Sequence, residues 1–349
     1  MTAGSLLIVG FEGKDAPSEL LERISARRVG GVVLFARNLG TLDEICALTA
    51  SLQAAVPAGE PPLCISVDQE GGRVQRIRAP LSVWPPMQRV GSLADEAFSS
   101  AVGAALGAEL APLGFNVDYA PVLDVHTNPD NPIIGDRAFG SRPAEAAAQA
   151  LAFWRGLESA GVRGCGKHFP GHGDTATDSH LELPRVDHDE ARLRAVELEP
   201  FRLAIEAGVP MLMTAHVVYP AIDARPATMS KRWLTTILRL ELGFRGVVVS
   251  DDLDMKAVAD RFPVEDTVVE SLLAGCDSFL ACRDPEIQRR AETALEAAAS
   301  RDPQVKQRVA ESSARMHAFR ATLVRAPIEA ARALALAEGH TAMVARARG

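Results

Sequence analysis

Asp178 and His180 have the residue types and the spacing of an acid–base pair. They stand two positions apart in a polar, glycine-containing stretch that follows Lys167 and His168. A carboxylate at this spacing can hydrogen-bond one imidazole nitrogen, which fixes the tautomer, orients the ring and favours its charged form. The pair is therefore a candidate general acid/base, although an Asp-x-His pair alone is more often a surface hydrogen bond than a catalytic group.

Asp251 is a candidate nucleophile. It directly follows the apolar run Val247-Val-Val-Ser250, and a carboxylate held at the end of a rigid strand is well placed to attack a bound substrate. Its neighbour Asp252 must point elsewhere, because successive side chains of a strand alternate between its two faces. The spacing does not decide which of the two faces a site.

Eight short runs that are apolar or rich in β-branched residues predict the strands that position these groups. They are continuously apolar, which is typical of strands buried on both faces of a parallel sheet. The runs cover residues 6–11, 31–36, 63–67, 115–125, 162–168, 211–216, 246–250 and 277–281. Because helical patterns separate them, the sequence favours an α/β fold of the (β/α)8 TIM-type barrel over a doubly wound sheet.

The helical segments carry recognisable start signals. Thr41 and Glu44 have capping-box spacing, and Ser92 is expected to cap an alanine-rich helix that ends near Leu110. Further helices are predicted at 143–160, 189–207, 231–241, 264–274 and 285–299. Residues 302–349 predict two helices, broken by Pro327, on the outside of the barrel. We expect a single domain, with a barrel over 1–300 and C-terminal helices over 301–349.

Five consecutive predicted strands end in ionisable groups. A barrel carries its active site at the carboxyl ends of its strands, so these groups are expected to meet. They include Asp68 and Arg76 after the third strand, Asp124 and Arg137 after the fourth, Lys167 and His168 after the fifth, His216 after the sixth and Asp251 after the seventh. A lone residue such as Asp118 is expected to be structural instead.

The composition excludes several classes of protein. The chain has 349 residues, 47% of them hydrophobic, and a net charge of −8, which argues against a nucleic-acid partner. Five scattered cysteines without a Cys-x-x-Cys pair indicate thiols in a reducing compartment. The N-terminus reads as a strand rather than a signal peptide, and no run is long enough to span a membrane. We expect a cytoplasmic protein, a monomer or weak homodimer, without a membrane partner.

Four motifs resemble the family 3 glycoside hydrolases, in the branch of single-domain bacterial β-N-acetylglucosaminidases. The match runs from Asp68 to about Cys282. The motifs are Asp68-Gln-Glu-Gly-Gly-Arg-Val, Lys167-His-Phe-Pro-Gly-His-Gly-Asp-Thr-Ala-Thr-Asp-Ser-His180, Met213-Thr-Ala-His-Val-Val-Tyr-Pro220 and Ser250-Asp-Asp-Leu253. The resemblance implies release of terminal β-linked N-acetylglucosamine from muropeptides, in peptidoglycan recycling, through a covalent glycosyl-enzyme intermediate and without cofactor or metal.

The resemblance also implies a role for each motif residue. Asp251 would be the nucleophile, and His180, oriented by Asp178, the general acid/base. The residues implied to bind the sugar are Asp68, Arg76, Arg137, Lys167 and His168, and His216 would line the same pocket. Retaining glycosidases commonly pair two carboxyl groups, and here a histidine would replace the second. An imidazole with an ordinary pKa near 6.5 can both give and take a proton at neutral pH.

Three alternatives remain open. His168, His172, Asp174, Asp178 and His180 are residue types that could hold zinc in a metal-dependent hydrolase, but Lys167 in the same stretch opposes a cation. A non-catalytic sugar-binding barrel would not need both Asp251 and the Asp178/His180 pair. A phosphorylase of N-acetylglucosaminides is possible because a neutral imidazole, unlike a carboxylate, lets phosphate approach the intermediate.

Overall fold

Eight parallel strands close into a barrel in the computed structural model, which describes residues 2–175 and 183–349. Around the barrel they are β1 (Leu7–Val9), β2 (Gly31–Val33), β3 (Cys64–Val67), β6 (Val117–Asp118), β7 (Arg163–Phe169), β8 (Met211–Thr214), β11 (Val247–Asp252) and β12 (Ser278–Ala281), and β12 pairs with β1. All eight predicted runs contribute one barrel strand each. The predicted (β/α)8 fold is therefore confirmed.

Two short antiparallel hairpins lie outside the barrel sheet. One joins β4 (Gln69–Gly71) to β5 (Val74–Gln75), and the other joins β9 (Val218–Tyr219) to β10 (Asp223–Pro226). Each hairpin follows the carboxyl end of a barrel strand, β3 and β8 respectively. They therefore build up the face of the barrel on which polar side chains are expected.

Helices surround the barrel. They are α1 (Ser18–Ser25), α2 (Leu42–Ala54), α3 (Met87–Ser92), α4 (Glu96–Leu110), α5 (Pro143–Ser159), α6 (Glu190–Arg192), α7 (Glu199–Ala207), α8 (Lys256–Ala259), α9 (Val264–Ala274), α10 (Pro285–Arg301), α11 (Pro303–Arg320), α12 (Ala330–Gly339) and α13 (Thr341–Arg348), with π-helical turns at Leu193–Glu197 and Arg232–Glu241. The capping box predicted at the start of α2 is present, because Thr41 and Glu44 exchange hydrogen bonds. No helix of the described residues is long and apolar enough to cross a membrane.

Three expectations about element boundaries were wrong. The fourth strand is only two residues long, since Pro121 has no N–H for the ladder, and after it the chain continues beside β7 with a bridge at Val122. Ser92 does not cap α4; it ends α3, and Asp95 accepts the capping bond from the backbone of Phe98. The segment after residue 302 forms three helices rather than two, because a further break falls at His340.

The barrel interior is a packed apolar core that one C-terminal helix helps to close. Inward-facing side chains of the strands form one cluster with Met316, Phe319 and Leu323, which lie on or just after α11. Arg320 of the same helix donates to the carbonyl oxygens of Pro61 and Pro62, just before β3. The helix thus covers the amino end of the barrel, opposite the strand ends that carry polar groups. The division at residue 300 stays a prediction.

Candidate active site

A pocket of about 170 Å³ opens among the carboxyl ends of the barrel strands. One side of it is apolar, with Phe35, Tyr119 and Met213 among its lining residues. The polar residues that line it are Asp68, Arg76, Arg137, Lys167, His168, His172, Asp251 and Asp252. Its volume is below the roughly 300–1,000 Å³ of pockets for drug-sized ligands. The described residues therefore enclose space for one small ring.

A network of buried ion pairs forms one wall of the pocket. Lys167 Nζ lies 2.7 Å from Asp68 Oδ1 and 2.5 Å from Glu70 Oε1. Arg137 makes a two-pronged pair with Glu70, with both N–H···O distances at 2.8 Å. Arg76 Nη2 is 3.3 Å from Asp68 Oδ2. Two carboxylates and three cations are thereby fixed relative to one another by β7, the β4 hairpin and the loop after β6.

The charges of this network stabilise one another against burial. Burial raises the pKa of Asp68, but the charges of Lys167 and Arg76 outweigh it and the pKa is lowered. In the same way Arg137 and Lys167 hold the pKa of Glu70 far below its ordinary value. Burial lowers the pKa of Lys167, yet Asp68 and Glu70 raise it above the ordinary range. All of these groups are therefore ionised at neutral pH, and the pocket wall offers preorganised donors and acceptors.

Two histidines of the pocket lining lie next to each other. The rings of His168 and His172 meet edge to face with centroids 5.9 Å apart, and both line the pocket. The carboxylate of Asp124 lies 2.6 Å from His168 Nδ1 and accepts the backbone N–H of His172 at 2.6 Å. Burial lowers the pKa of His172 to about 4, so that ring is neutral at physiological pH.

Both aspartates at the end of β11 line the pocket, so the expectation that Asp252 points elsewhere was wrong, but their environments differ. Asp252 Oδ1 accepts the backbone N–H groups of Cys282 and Asp254 at 3.0 and 3.1 Å. Burial and the charge of Asp254 raise the pKa of Asp252 to about 7. Asp251 Oδ1 accepts the backbone N–H of Asp252 at 2.8 Å, and within residues 2–175 and 183–349 its carboxylate has no other hydrogen bond. Asp251 is therefore the carboxylate better placed to react with a bound molecule.

His216 is not among the residues that line the pocket. Its Nδ1 is 2.9 Å from Thr228 Oγ1, and its Nε2 donates to the carbonyl oxygen of Asp252 at 3.1 Å. Burial lowers its pKa. The structure thus gives His216 a supporting place beside the end of β11, and its predicted contact with a ligand stays a prediction.

The predicted acid–base pair, Asp178 and His180, lies outside the described residues. The chain on either side of it is anchored by Asp174, which accepts a hydrogen bond from Thr127 Oγ1 at 2.8 Å and contacts His188 Nε2. Asn131 Nδ2 donates to the carbonyl oxygen of His172 at 2.9 Å. The described chain before and after the pair is therefore tied to the loop that follows β6, beside the pocket.

The structure brings together most of the predicted site residues. Asp68, Arg76, Arg137, Lys167, His168 and Asp251 all line the one pocket. The sequence places Asp124 among the strand-end groups but indicates no specific role for it, and it does not single out Glu70. Glu70 lies two positions from Asp68, a strand spacing that places side chains on one face, and Asp124 ends a predicted strand. Within 2–175 and 183–349, no group of three or more His, Cys, Asp or Glu residues is placed to hold a metal ion.

Comparison with known proteins identifies relatives along most of the chain. Residues 3–317 match the model of the glycosyl hydrolase family 3 N-terminal domain. A "Beta-hexosaminidase" of Alkalilimnicola ehrlichii is 42% identical over 286 residues, which cover 80% of this chain and 81% of that protein. "Beta-hexosaminidase A" of Pseudoalteromonas piscicida is also 42% identical, over 283 residues, 76% of this chain. This chain spans about half, 47%, of the length of that second relative.

A solved structure gives the same result. The family 3 β-N-acetylglucosaminidase of Paenibacillus sp. str. FPU-7 superposes with a TM-score of 0.86 at 38% sequence identity. The superposition covers 92% of this chain and 62% of the Paenibacillus chain. The similarity therefore includes the whole barrel and not only the motif regions.

Proposed function

The chain belongs to glycosyl hydrolase family 3, and on that premise we propose that it is a retaining β-N-acetylhexosaminidase, a glycoside hydrolase that releases terminal β-linked N-acetylglucosamine. The observation that carries the proposal is the position of Asp251 in the same small pocket as the Asp68–Lys167–Glu70–Arg137 network. A carboxylate nucleophile and a fixed set of groups that bind hydroxyls are what hydrolysis of a single terminal sugar requires.

The wall of ion pairs would bind the sugar. Carboxylate oxygens of Asp68 can accept hydroxyl hydrogens, while Lys167 and Arg76 donate to hydroxyl oxygens. These contacts cost little reorganisation because the ion pairs already fix each side chain. Arg137 and His168 extend the same wall around the pocket. The names of the relatives, β-hexosaminidase and β-N-acetylglucosaminidase, support an N-acetylated amino sugar as the bound unit.

Chemistry would proceed in two displacements. Asp251 would attack the anomeric carbon while protonated His180 donates to the leaving oxygen, and the glycosyl–Asp251 ester would then be hydrolysed by a water that neutral His180 deprotonates. Asp178 would hold the ring of His180 in the required tautomer. The roles of Asp178 and His180 come from the family resemblance, and the proposal includes them on that ground.

We propose muropeptides of cell-wall turnover as the natural substrates and the cytoplasm as the location. The five cysteines are all unpaired thiols, and four of them are buried, which fits a reducing compartment. Incubation with purified muropeptides, followed by mass spectrometry of the products, tests the proposed substrates directly.

The activity is tested with a chromogenic N-acetyl-β-D-glucosaminide. Wild-type protein should hydrolyse it, and D251N should lose at least about 10³-fold in kcat, as expected when a nucleophile is removed. The matched control is D254N, because Asp254 is a carboxylate of the same segment that accepts a backbone bond from Arg283 and does not line the pocket. Retained activity in D251N, or an equal loss in D254N, would reject the assignment.

Phosphorolysis is distinguished by its product. Hydrolysis yields free N-acetylglucosamine whether or not inorganic phosphate is present, whereas a phosphorylase would yield the 1-phosphate in proportion to phosphate concentration. The proposal predicts free sugar under both conditions. A sugar phosphate as the main product would reject hydrolysis as the activity and indicate a phosphorylase instead.

A further inference from the structure

A buried carboxylate behind the pocket, Asp124, controls the two pocket histidines. Asp124 is 1% exposed and is not among the residues lining the pocket, so it cannot touch a ligand there itself. Its two oxygens receive the backbone N–H of His168 at 3.2 Å each, His168 Nδ1 at 2.6 Å and the backbone N–H of His172 at 2.6 Å. One side chain thus fixes both the main chain and the ring of His168.

The Asp124 carboxylate is ionised in the folded protein. Burial alone would raise its pKa, but the charge and hydrogen bonds of His168, with a contribution from His172, lower it below the ordinary value. An ionised carboxylate only accepts hydrogen bonds, and therefore the nitrogen that faces it, His168 Nδ1, must carry hydrogen. The other nitrogen, Nε2, is then the one that the ring can offer to a ligand.

The surroundings of His168 indicate which chemical group of a ligand would contact its Nε2. The residue before it, Lys167, joins the Asp68 and Glu70 carboxylates, and His168 lines the same pocket. Each of these neighbours is held in an ion pair, and a hydroxyl group suits them because it can both donate to a carboxylate and accept from Lys167. If the hydrogen of the His168 ring is fixed on Nδ1, its Nε2 would select a hydroxyl group at one position of the sugar ring.

We propose that Asp124 is a positioning residue of the sugar site: its carboxylate keeps hydrogen on His168 Nδ1 and so presents Nε2 of that ring to a hydroxyl of the substrate. The identity of the substrate rests on the proposed function, whereas the state of the imidazole does not. The two can therefore fail separately. Asp124 acts through His168 and the turn to His172, without contact to the reacting atoms.

Asp124→Asn is the informative substitution. The amide has nearly the same shape, and its oxygen can still accept backbone N–H groups. Its NH₂ would then face His168 Nδ1 and donate to it, which moves the ring hydrogen to Nε2. The matched control is D118N, since Asp118 is also a fully buried carboxyl of the same segment, with the backbone N–H of Gln69 as its bonding partner.

The first readout is the tautomer. In protein labelled with ¹⁵N-histidine, long-range ¹H–¹⁵N correlation spectra distinguish the two ring nitrogens, and H168A assigns the signals. We expect hydrogen on Nδ1 of His168 in wild type and in D118N, and on Nε2 in D124N. A wild-type ring with hydrogen on Nε2 alone overturns the proposal without recourse to any variant.

The second readout is a double-mutant cycle on kcat/KM. Loss of a side chain that orients a functional histidine typically costs about 10–100-fold, and we expect that loss in D124N and less than about 3-fold in D118N. If Asp124 acts through His168, D124N should cost less than about 3-fold more in the H168A background. An equal loss in both backgrounds would show a purely structural role and would overturn the proposal. A wild type without glycosidase activity rejects the proposed function, while the tautomer still decides the role of Asp124.

Discussion

Glu70→Gln removes the carboxylate that joins Lys167 to Arg137. Glu70 and Lys167 are each 2% exposed, and Arg137 is almost as deeply placed. The glutamine can still accept one hydrogen bond but no longer balances either charge. The three cations of the network would then have the single carboxylate of Asp68 to balance them, in an environment with little water.

The size of the effect follows from that burial. Breaking a buried ion pair by removing one partner costs about 3–5 kcal/mol, because a charge is left uncompensated. The entropy of unfolding, scaled to the 349 residues of the chain, is on the order of 0.7 kcal/mol/K. E70Q should therefore melt about 4–7 °C below wild type.

The matched control is E265Q. Glu265 also binds an arginine through two parallel bonds, at 2.7 and 2.9 Å to Arg290, but both side chains are nearly half exposed. Exposed pairs contribute about 0.2–1 kcal/mol, so E265Q should melt within about 1.5 °C of wild type. Differential scanning calorimetry at pH 7 and constant salt measures both. Equal losses in the two variants, or a loss below about 2 °C in E70Q, would refute the reasoning.

Three further predictions concern charge, binding and metal. Burial raises the pKa of Asp118 to about 8 from the ordinary 3.8, so the folded protein holds a proton that the unfolded chain releases, and this contribution to stability is lost as pH rises from about 4 to 8. D118N removes this pH dependence. In urea unfolding, the free energy of unfolding of D118N relative to that of wild type should rise by up to about 1.4 kcal/mol per pH unit. A difference between the two proteins that does not change with pH would contradict the raised pKa. K167M removes charged hydrogen bonds worth about 1.5–3 kcal/mol each, so kcat/KM for the chromogenic substrate should fall at least about 10-fold, whereas D254N should remain near wild type. Exhaustive chelation should leave the rate unchanged, and loss of activity that added zinc restores would favour the metal-dependent alternative.

The barrel could be predicted because strands buried on both faces leave continuous apolar runs in the sequence. The wrongly predicted boundaries lie where more than one nearby residue could end a strand or begin a helix. Pro121 interrupts an otherwise apolar run and shortens the fourth strand to Val117–Asp118. Ser92 and Asp95 are both good helix caps, and only the presence of the short helix α3 selects Asp95 for α4.

Site residues could be predicted where they directly end a strand. Pairs of residues that come together from different strands and loops could not. Lys167 and Asp251 directly end apolar runs, and their place in the pocket follows from the barrel rule. Glu70 pairs with Arg137 across 67 positions, and Asp124 meets His168 across 44. Such pairings depend on the register and tilt of neighbouring strands, which composition and periodicity do not encode.

Covalent labelling tests the central claim most directly. A fluorosugar inactivator based on N-acetylglucosamine slows both displacements, and a good leaving group lets the glycosyl-enzyme accumulate long enough for proteolysis and peptide mapping. We predict one equivalent of label per chain, attached to Asp251 and absent from D251N. Label on any other residue, or inactivation without a covalent adduct, would contradict a mechanism in which the carboxylate at the end of β11 attacks the sugar.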